Sequence, residues 1–499
     1  MKYLFPDISN QLSNALGSIP FFMPEIYITV LFVLVIVTDL LFGKNSARLC
    51  RTIASAGMVV VIFKDMQQFE QILSGGHFLF GNMLLLHRTA IVFKLVIDLL
   101  SFILLLYFAW DHRLKAHKKG LSDLYTIVIG SVLGLHLMIM AVNLLSIYLA
   151  IEFVSLASYL LVAYRSENAF STEAGLKYVL FGAASSAVML YGISLLYGFG
   201  GTLDLFSGHM AERLAQVNTL SVSFAIVLVL AGIGFKLSFV PAHFWVPDVY
   251  EGAATPVTAY LSTLPKIAAF ALLVNFITPF VFYDHWKGFD FRLVLSAIGI
   301  LTMIAGNFAA VWQNNVKRML AYSGIGHTGF ALMALVTFTP QGLSALAYYL
   351  LMYGLANIAA LALANYFENA EGITDVRDYK GLGFKYPLAS VCFVVVLISL
   401  TGLPISAGFT GKLFVFSAVY SVYQQNHDVW LLALLITGAL TTVVSLFYYI
   451  KVPLNLFLKR TELIVSENKW SYNLVILSTI ITIALIIFGI FPDMLIKYM

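Results

Sequence analysis

Between residue 24 and residue 496 the chain is a succession of apolar runs, each about long enough to cross a bilayer. A membrane-crossing helix needs about 20 mainly apolar residues, because every backbone polar group inside lipid must be bonded within the segment. By that length rule about 14 spans are expected, at 24–42, 47–63, 89–110, 124–142, 144–164, 172–199, 221–246, 255–282, 291–312, 317–338, 342–366, 386–421, 429–456 and 472–496. Composition agrees: 60% of the 499 residues are hydrophobic and 11% charged, too few charges to cover a soluble protein of this size. The expected fold is an all-α polytopic membrane protein.

Two runs do not read as simple spans. Residues 386–421 are too long for one crossing and contain Gly402, Pro404, Gly408 and Gly411, which predicts a broken helix. Span 7 contains Lys236 followed by Pro241, and Lys266 follows in span 8. If spans four to eight and nine to thirteen are two blocks of five, the fourth span of each holds a lysine beside a Gly/Pro interruption. A five-span unit reverses its orientation on repeating, so tandem copies form an inverted pair, a device that places broken helices at the membrane midplane. The implied organisation is an N-terminal three-helix segment (1–123), a first repeat (124–284), a second repeat (285–460) and a C-terminal helix (461–499).

Lysine and arginine concentrate after the odd-numbered spans: Lys44, Arg48, Arg51; Arg113, Lys115, Lys118, Lys119; Arg165; Lys317, Arg318; Arg377, Lys380, Lys385; Lys451, Lys459, Arg460, Lys469. The positive-inside rule then puts those loops in the cytoplasm and both termini outside. The first 24 residues hold Pro6, Pro20, Pro24 and many polar side chains. They are unlike a cleavable signal, so the first span is expected to be its own targeting signal. The net charge of +4 is spread over loops, which argues against nucleic acid as a partner. Cys50 and Cys392 lie far apart and form no metal-binding spacing, so iron–sulfur or haem chemistry on this chain is not expected.

Ionisable groups inside spans are the functional candidates, since each costs roughly 2.5–3.5 kcal/mol at mid-bilayer on insertion scales. Lys236, Lys266 and Lys412 form the strongest set. Glu152, a third of the way into span 5, is either a glutamate that snorkels near an interface or is tied up by a serine, or an ion partner or proton acceptor within the bundle. A carboxylate and an ammonium in one low-dielectric site shift each other's proton affinity, so a Glu152–Lys236 pair would load and unload a proton. His327 is either a proton relay or a histidine satisfied by packing. Lys177, near the start of span 6, is either a path member or an interfacial anchor. Asp39, Lys94, Asp98 and His136 also lie in or near spans, and Lys94 and Asp98, spaced i,i+4, could pair with each other. Gly324, Gly326 and Gly329 spell a dinucleotide fingerprint, but no acidic residue follows before Glu368, and the motif lies within a span. Close helix packing explains it better. With no nucleophile–base pair and no H-E-x-x-H cluster, the residues alone leave a proton or cation translocator ahead of a small-solute carrier, and both ahead of a membrane-embedded enzyme.

The stretches FVPAHFWVPDVYEGAATPVTAYLSTLPKIAAFALL, NNVKRMLAYSGIGHTGF and LISLTGLPISAGFTGKLFVF, supported by YLAIEFVSLASYLLVAY and LKYVLFGAASSAVMLYG, carry a resemblance. The chain resembles the cation/proton antiporter-like membrane subunits of the proton-pumping NADH:quinone oxidoreductase, respiratory complex I, and among them the N branch. That resemblance implies two inverted five-helix half-channels. It makes Glu152 and Lys236 the ion pair of the first, Lys266 the connecting lysine, Lys412 the exit-side lysine of the second, and His327 a member of the polar axis between them. It implies a non-redox subunit of a translocase, with FMN, iron–sulfur clusters, NADH and quinone held by other subunits and no cofactor or metal here. Its partners would be a neighbouring antiporter-like subunit, small membrane-arm subunits and lipid, in a bacterial plasma membrane. M-type members carry a glutamate where this chain has Lys412, and L-type members continue into a lateral helix that a chain ending at Met499 is expected to lack. Subunits of multisubunit sodium/proton antiporters share the core and are the main rival.

Overall fold

The computed structural model describes residues 8–43, 46–72, 75–115, 117, 120–282, 288–459 and 472–499. Lys44, Lys118, Lys119, Arg460 and Lys469, and the boundaries expected at 284/285 and 460/461, lie outside the described residues. The long helices run in order: α1 (Met23–Phe42), α2 (Ser46–Gln71), α3 (Arg88–Phe108), α4 (Ser122–Met140), α5 (Leu144–Val162), α6 (Ala169–Gly200), α7 (Thr219–Leu237), α8 (Trp245–Gly252), α9 (Thr255–Phe282), α10 (Phe291–Val311), α11 (Val316–Leu335), α12 (Pro340–Glu371), α13 (Pro387–Thr401), α14 (Ala407–Asn426), α15 (Val429–Tyr449) and α16 (Asn473–Ile490). Among the described residues, twelve helices are long and apolar enough to cross a bilayer. The fold is all-α and polytopic, with one small antiparallel hairpin, β1 (His77–Leu79) on β2 (Leu84–Leu86), between α2 and α3.

The helix ends follow side-chain chemistry that the apolar runs do not reveal. Asn143, Asn168, Asn218 and Asn315 cap α5, α6, α7 and α11 through their side-chain oxygens, and Asp290, Thr339, Ser406 and Asp428 do the same for α10, α12, α14 and α15. Each cap satisfies backbone N–H groups that the first turn leaves unpaired. Both interrupted runs break as expected. α7 stops at Leu237, where Ser238 turns left-handed (φ +62°), and helix resumes at Trp245. α13 stops at Thr401 with Gly402 at φ +84°, and α14 begins at Ala407. Expected boundaries fail at two places. Residues 8–18 are already helical and lead through a short 3-10 turn into α1, because Pro20 and Pro24 fall at first-turn positions that lack no bond. α2 runs on past 63 to Gln71, because Asp65 and Gln68 are buried inside the bundle rather than solvated.

Loops sort to two ends. Asp111 and Arg113 after α3, Arg165 after α5, Glu251 and Ala253 after the α7/α8 pair, Asn315 and Lys317 after α10, and Glu368 and Thr374 at the end of α12 line one polar pocket of about 200 Å³. Asn82 and Asp204 bond at 2.9 Å, and bridges join Leu84 to Ala141 and Asn143 to Asp204, so the loops after α2, α4 and α6 also meet. The α7/α8 pair, which follows the Asp204 loop and ends in this pocket, therefore runs from one end to the other as a single unit. The central part of α12 is wholly enclosed and that of α9 nearly so, whereas α1, α2, α6 and α15 turn apolar side chains outward. The buried ionisable groups lie around these enclosed helices. Gly326 and Gly329 do pack closely: a Cβ at Gly326 would meet Asn307 at 2.6 Å, and one at Gly329 would meet Met303 at 2.5 Å, both on α10.

Candidate functional site

The α7 break creates the surroundings of Lys236. Its side chain is buried, and Nζ donates to the Tyr178 hydroxyl of α6 at 3.4 Å, with the Tyr159, Tyr178 and Phe235 rings 5.5–6.0 Å away. Trp245, first residue of α8, donates its indole N–H to the Phe235 carbonyl at 3.1 Å and so occupies a carbonyl near the end of α7. Among the described residues no ion pair joins Lys236 to Glu152. Glu152 is half-buried on α5, close enough to act electrostatically on Lys236 and on Tyr159 two turns along its own helix, and its Oε1 is buried without a hydrogen-bond partner. The ammonium thus rests on a phenol and ring faces, not on a carboxylate.

Lys266, on α9, is buried and donates to the Gly324 carbonyl at 3.1 Å, with Thr328 Oγ1 at 3.5 Å, both on α11. A Cβ at Gly324 would meet the Tyr353 hydroxyl at 2.9 Å and Lys266 Nζ at 3.6 Å, so glycine there keeps room for both groups. Thr328 also donates to the Leu237 carbonyl at 2.9 Å, tying the Lys266 surroundings to the α7 break. One turn from Gly324, His327 bonds the Tyr349 hydroxyl through Nδ1 (2.7 Å) and the Tyr449 hydroxyl through Nε2 (3.3 Å), and Tyr449 bonds Ser323. The Tyr353 ring lies 4.8 Å from the histidine ring, its hydroxyl donating to the Ser262 carbonyl at 3.2 Å.

Lys412, on α14, folds back on the α13 break. Nζ donates to the Thr401 carbonyl at 2.8 Å and to Thr442 Oγ1 at 3.4 Å, and sits 4.5 Å over the Phe330 ring. His327 and Lys412 both line a cavity of about 10 Å³ with Tyr349, Tyr353 and Ser399. That volume suits about one water, which could bridge groups the protein leaves apart. The structure therefore brings Lys266, His327 and Lys412 into one polar row, joined at the α7 break to Lys236.

Lys177 is no member of the buried row. At 39% exposure it pairs with Glu173 (2.8 Å) and Asp248 (2.9 Å), and Asp248 in turn holds Arg318 at 2.8 Å. The i,i+4 pairing open to Lys94 and Asp98 is not the one the structure shows. Lys94 bridges Glu25 and Asp65 on neighbouring helices, while Asp98 meets His136, because tertiary partners approach both groups more closely than the helix surface allows. Asp39 accepts from Ser46 at 2.6 Å. The row also contains hydroxyls that sequence reading passed over: Tyr178, Ser323, Thr328, Tyr349, Tyr353 and Tyr449. One signal was available, since Tyr349, Tyr353 and Asn357 recur every four residues and share one face of α12.

Residues 141–442, which contain every member of this row except Tyr449, match the family described as NADH:quinone oxidoreductase/Mrp antiporter, TM. NADH-quinone oxidoreductase subunit N of Chlorobium chlorochromatii is 37% identical over 469 residues, covering 93% of this chain and 90% of that one. A chain of respiratory complex I from Thermus thermophilus with bound aureothin superposes with a TM-score of 0.77 at 26% identity, covering 95% of this chain and 99% of its own. A chain of the Mrp complex from Dietzia sp. shares the fold with a TM-score of 0.78 at 19% identity, covering 95% of each. Match, similarity and superposition agree over most of the chain, which belongs to the NADH:quinone oxidoreductase/Mrp antiporter membrane family.

Proposed function

We propose that this chain is the non-redox, proton-translocating N-type membrane subunit of an NADH:quinone oxidoreductase. Protons move along Glu152, Lys236, Lys266, His327 and Lys412, driven by quinone reduction elsewhere in the complex. The observation that carries this reading is the partner set of the three lysines: each is buried, and each bonds hydroxyls or backbone carbonyls with no carboxylate in contact among the described residues. An ammonium so placed has no fixed counter-ion, so its protonation responds to any charge that arrives or leaves nearby. Thr328, the tyrosine hydroxyls and His327 supply donors and acceptors between the lysines. The cavity between His327 and Lys412 has room for about one water, which suits a proton site better than a solute pocket at that place.

The two blocks of five spans are α4–α9 and α10–α15, with a broken pair fourth in each. This arrangement supports an inverted repeat over 124–284 and 285–460, with 1–123 as a three-helix appendage. The redox groups and NADH would belong to other subunits, and the chain would lie among membrane-arm partners in a bacterial plasma membrane.

The test is proton uptake by inverted vesicles carrying the assembled complex. NADH oxidation should drive uptake in wild type. Lys236→Ala should assemble yet translocate roughly 10²-fold more slowly, the scale of losing one positioned proton-transfer group. Wild-type uptake in Lys236→Ala would end this assignment. Uptake that follows an imposed Na⁺ gradient and ignores NADH would favour a sodium/proton antiporter.

A further inference from the structure

A second group of ionisable side chains lies outside the row, where the three helices of the N-terminal segment (α1, α2 and α3) meet α4, the first helix of the first proposed repeat. Glu25, Asp65, Lys94, Asp98 and His136 are all 0% exposed. Lys94 Nζ lies 2.7 Å from Glu25 Oε1 and 2.6 Å from Asp65 Oδ1, and donates to Gln68 at 3.0 Å. His136 Nδ1 is 3.1 Å from Glu25 Oε1, and its Nε2 is 2.9 Å from Asp98 Oδ1. The facing atoms of Asp65, Asp98 and His136 lie within 4.8 Å of one another. Oε2 of Glu25 and Oδ2 of both Asp65 and Asp98 are buried with no hydrogen-bond partner. α9 and α12 pack on this bundle. The charged side chains they carry are engaged elsewhere: Lys266 with Gly324, Glu368 with Arg113 and Glu371 with Lys385.

The charges in this group do not balance. Both ring nitrogens of His136 face carboxylates, and a carboxylate only accepts. Either His136 carries two N–H groups, or one of its carboxylate partners is protonated and donates to the bare nitrogen. In both cases His136, Glu25 and Asp98 together bear one negative charge. Lys94 and Asp65 cancel, so the buried group as a whole is left with one uncompensated negative charge. An unpaired charge inside a bundle costs several kcal/mol, and two close carboxylates relieve it by sharing a proton.

We propose that α1–α4 enclose a second proton-holding site, in which Asp65 and Asp98 hold one exchangeable proton between them. Their orphaned Oδ2 atoms are the vacant seats, and Lys94 and His136 fix the remaining oxygens. The site is independent of proton movement along Lys236, Lys266 and Lys412.

Infrared difference spectra of the assembled complex, taken between acidic and alkaline buffer, test this. Wild type should show a carboxylic acid C=O band that disappears on alkalinisation, shifts in D₂O, and shifts again when aspartate carries ¹³C at its side-chain carboxyl. Asp65→Asn and Asp98→Asn should each lose that one band, and Lys236→Ala should keep it. Should either amide variant fail to assemble, the other together with the labelled wild type decides. The same bands in wild type and both variants would overturn the proposal. So would a spectrum with no aspartate-dependent band, or one bound ²²Na⁺ per chain in place of the band.

Discussion

Lys236, Lys266 and Lys412 each reach the margin of a helix interruption or a glycine, and each finds neutral oxygen there. Those lysines were legible because a charge in an apolar run is conspicuous. Their partners were not, because tyrosine, serine and threonine occur throughout membrane helices and backbone carbonyls leave no trace in sequence. The expected Glu152–Lys236 contact shows the limit most clearly. The residue types suggest a pair, yet the tertiary arrangement gives Lys236 a phenol and leaves Glu152 Oε1 without a partner. Glu152 then acts through space, an effect of about 1 kcal/mol at this exposure. Glu152→Gln should accordingly slow proton uptake roughly 5-fold, well short of the loss in Lys236→Ala. Equal rates in wild type and Glu152→Gln would remove Glu152 from the path. At position 412 a protonated carboxyl can still donate to the Thr401 carbonyl, whereas alanine offers nothing. Lys412→Glu should retain measurable NADH-driven uptake and Lys412→Ala should not, and identical rates would deny Lys412 a proton-carrying role.

At the level of the element, the breaks matter more than the helices. Span existence and both interruptions could be read from run length, Pro and Gly, because these reflect backbone chemistry directly. The extension of α2 to Gln71 could not, since it depends on Lys94, 26 residues beyond Gln68, receiving two of its polar side chains. Gly402 has two reasons to be glycine: its φ of +84°, and Lys412 Cδ, which a Cβ would approach to 2.7 Å. Gly372 is a natural control, with φ +74° and nothing within 4 Å of an added Cβ. Both Gly402→Ala and Gly372→Ala should lower thermal stability by about 1–2 kcal/mol from the left-handed backbone alone. Only Gly402→Ala should also depress proton uptake, by pushing Lys412 off the Thr401 carbonyl. If both variants pump alike, the close approach of Gly402 to Lys412 has no functional part.

For the whole molecule, the contacts between loops tie side-chain chemistry to membrane orientation. Arg113 holds Glu368 at 2.5 Å, Arg318 holds Asp248 and Glu251 at 2.8 Å, and Lys385 holds Glu371 at 2.7 Å, all among loops that follow odd-numbered spans. The basic residues therefore do not repel one another across that end; carboxylates at the ends of α8 and α12 bind them locally. Topology depends on lysine and arginine near the span ends and little on the acids beside them, so this end is expected to face the cytoplasm despite its near balance of charge. Single cysteines placed in turn at Asn82, Asp204 and Tyr498, in a chain with Cys50 and Cys392 changed to serine, should react with an impermeant maleimide in intact cells. Cysteines at Arg165 and Arg377 should react only after the membrane is opened. The reverse labelling pattern would invert the chain, and labelling of Asn82 and Arg165 from the same side would show that α3, α4 and α5 do not cross in alternation.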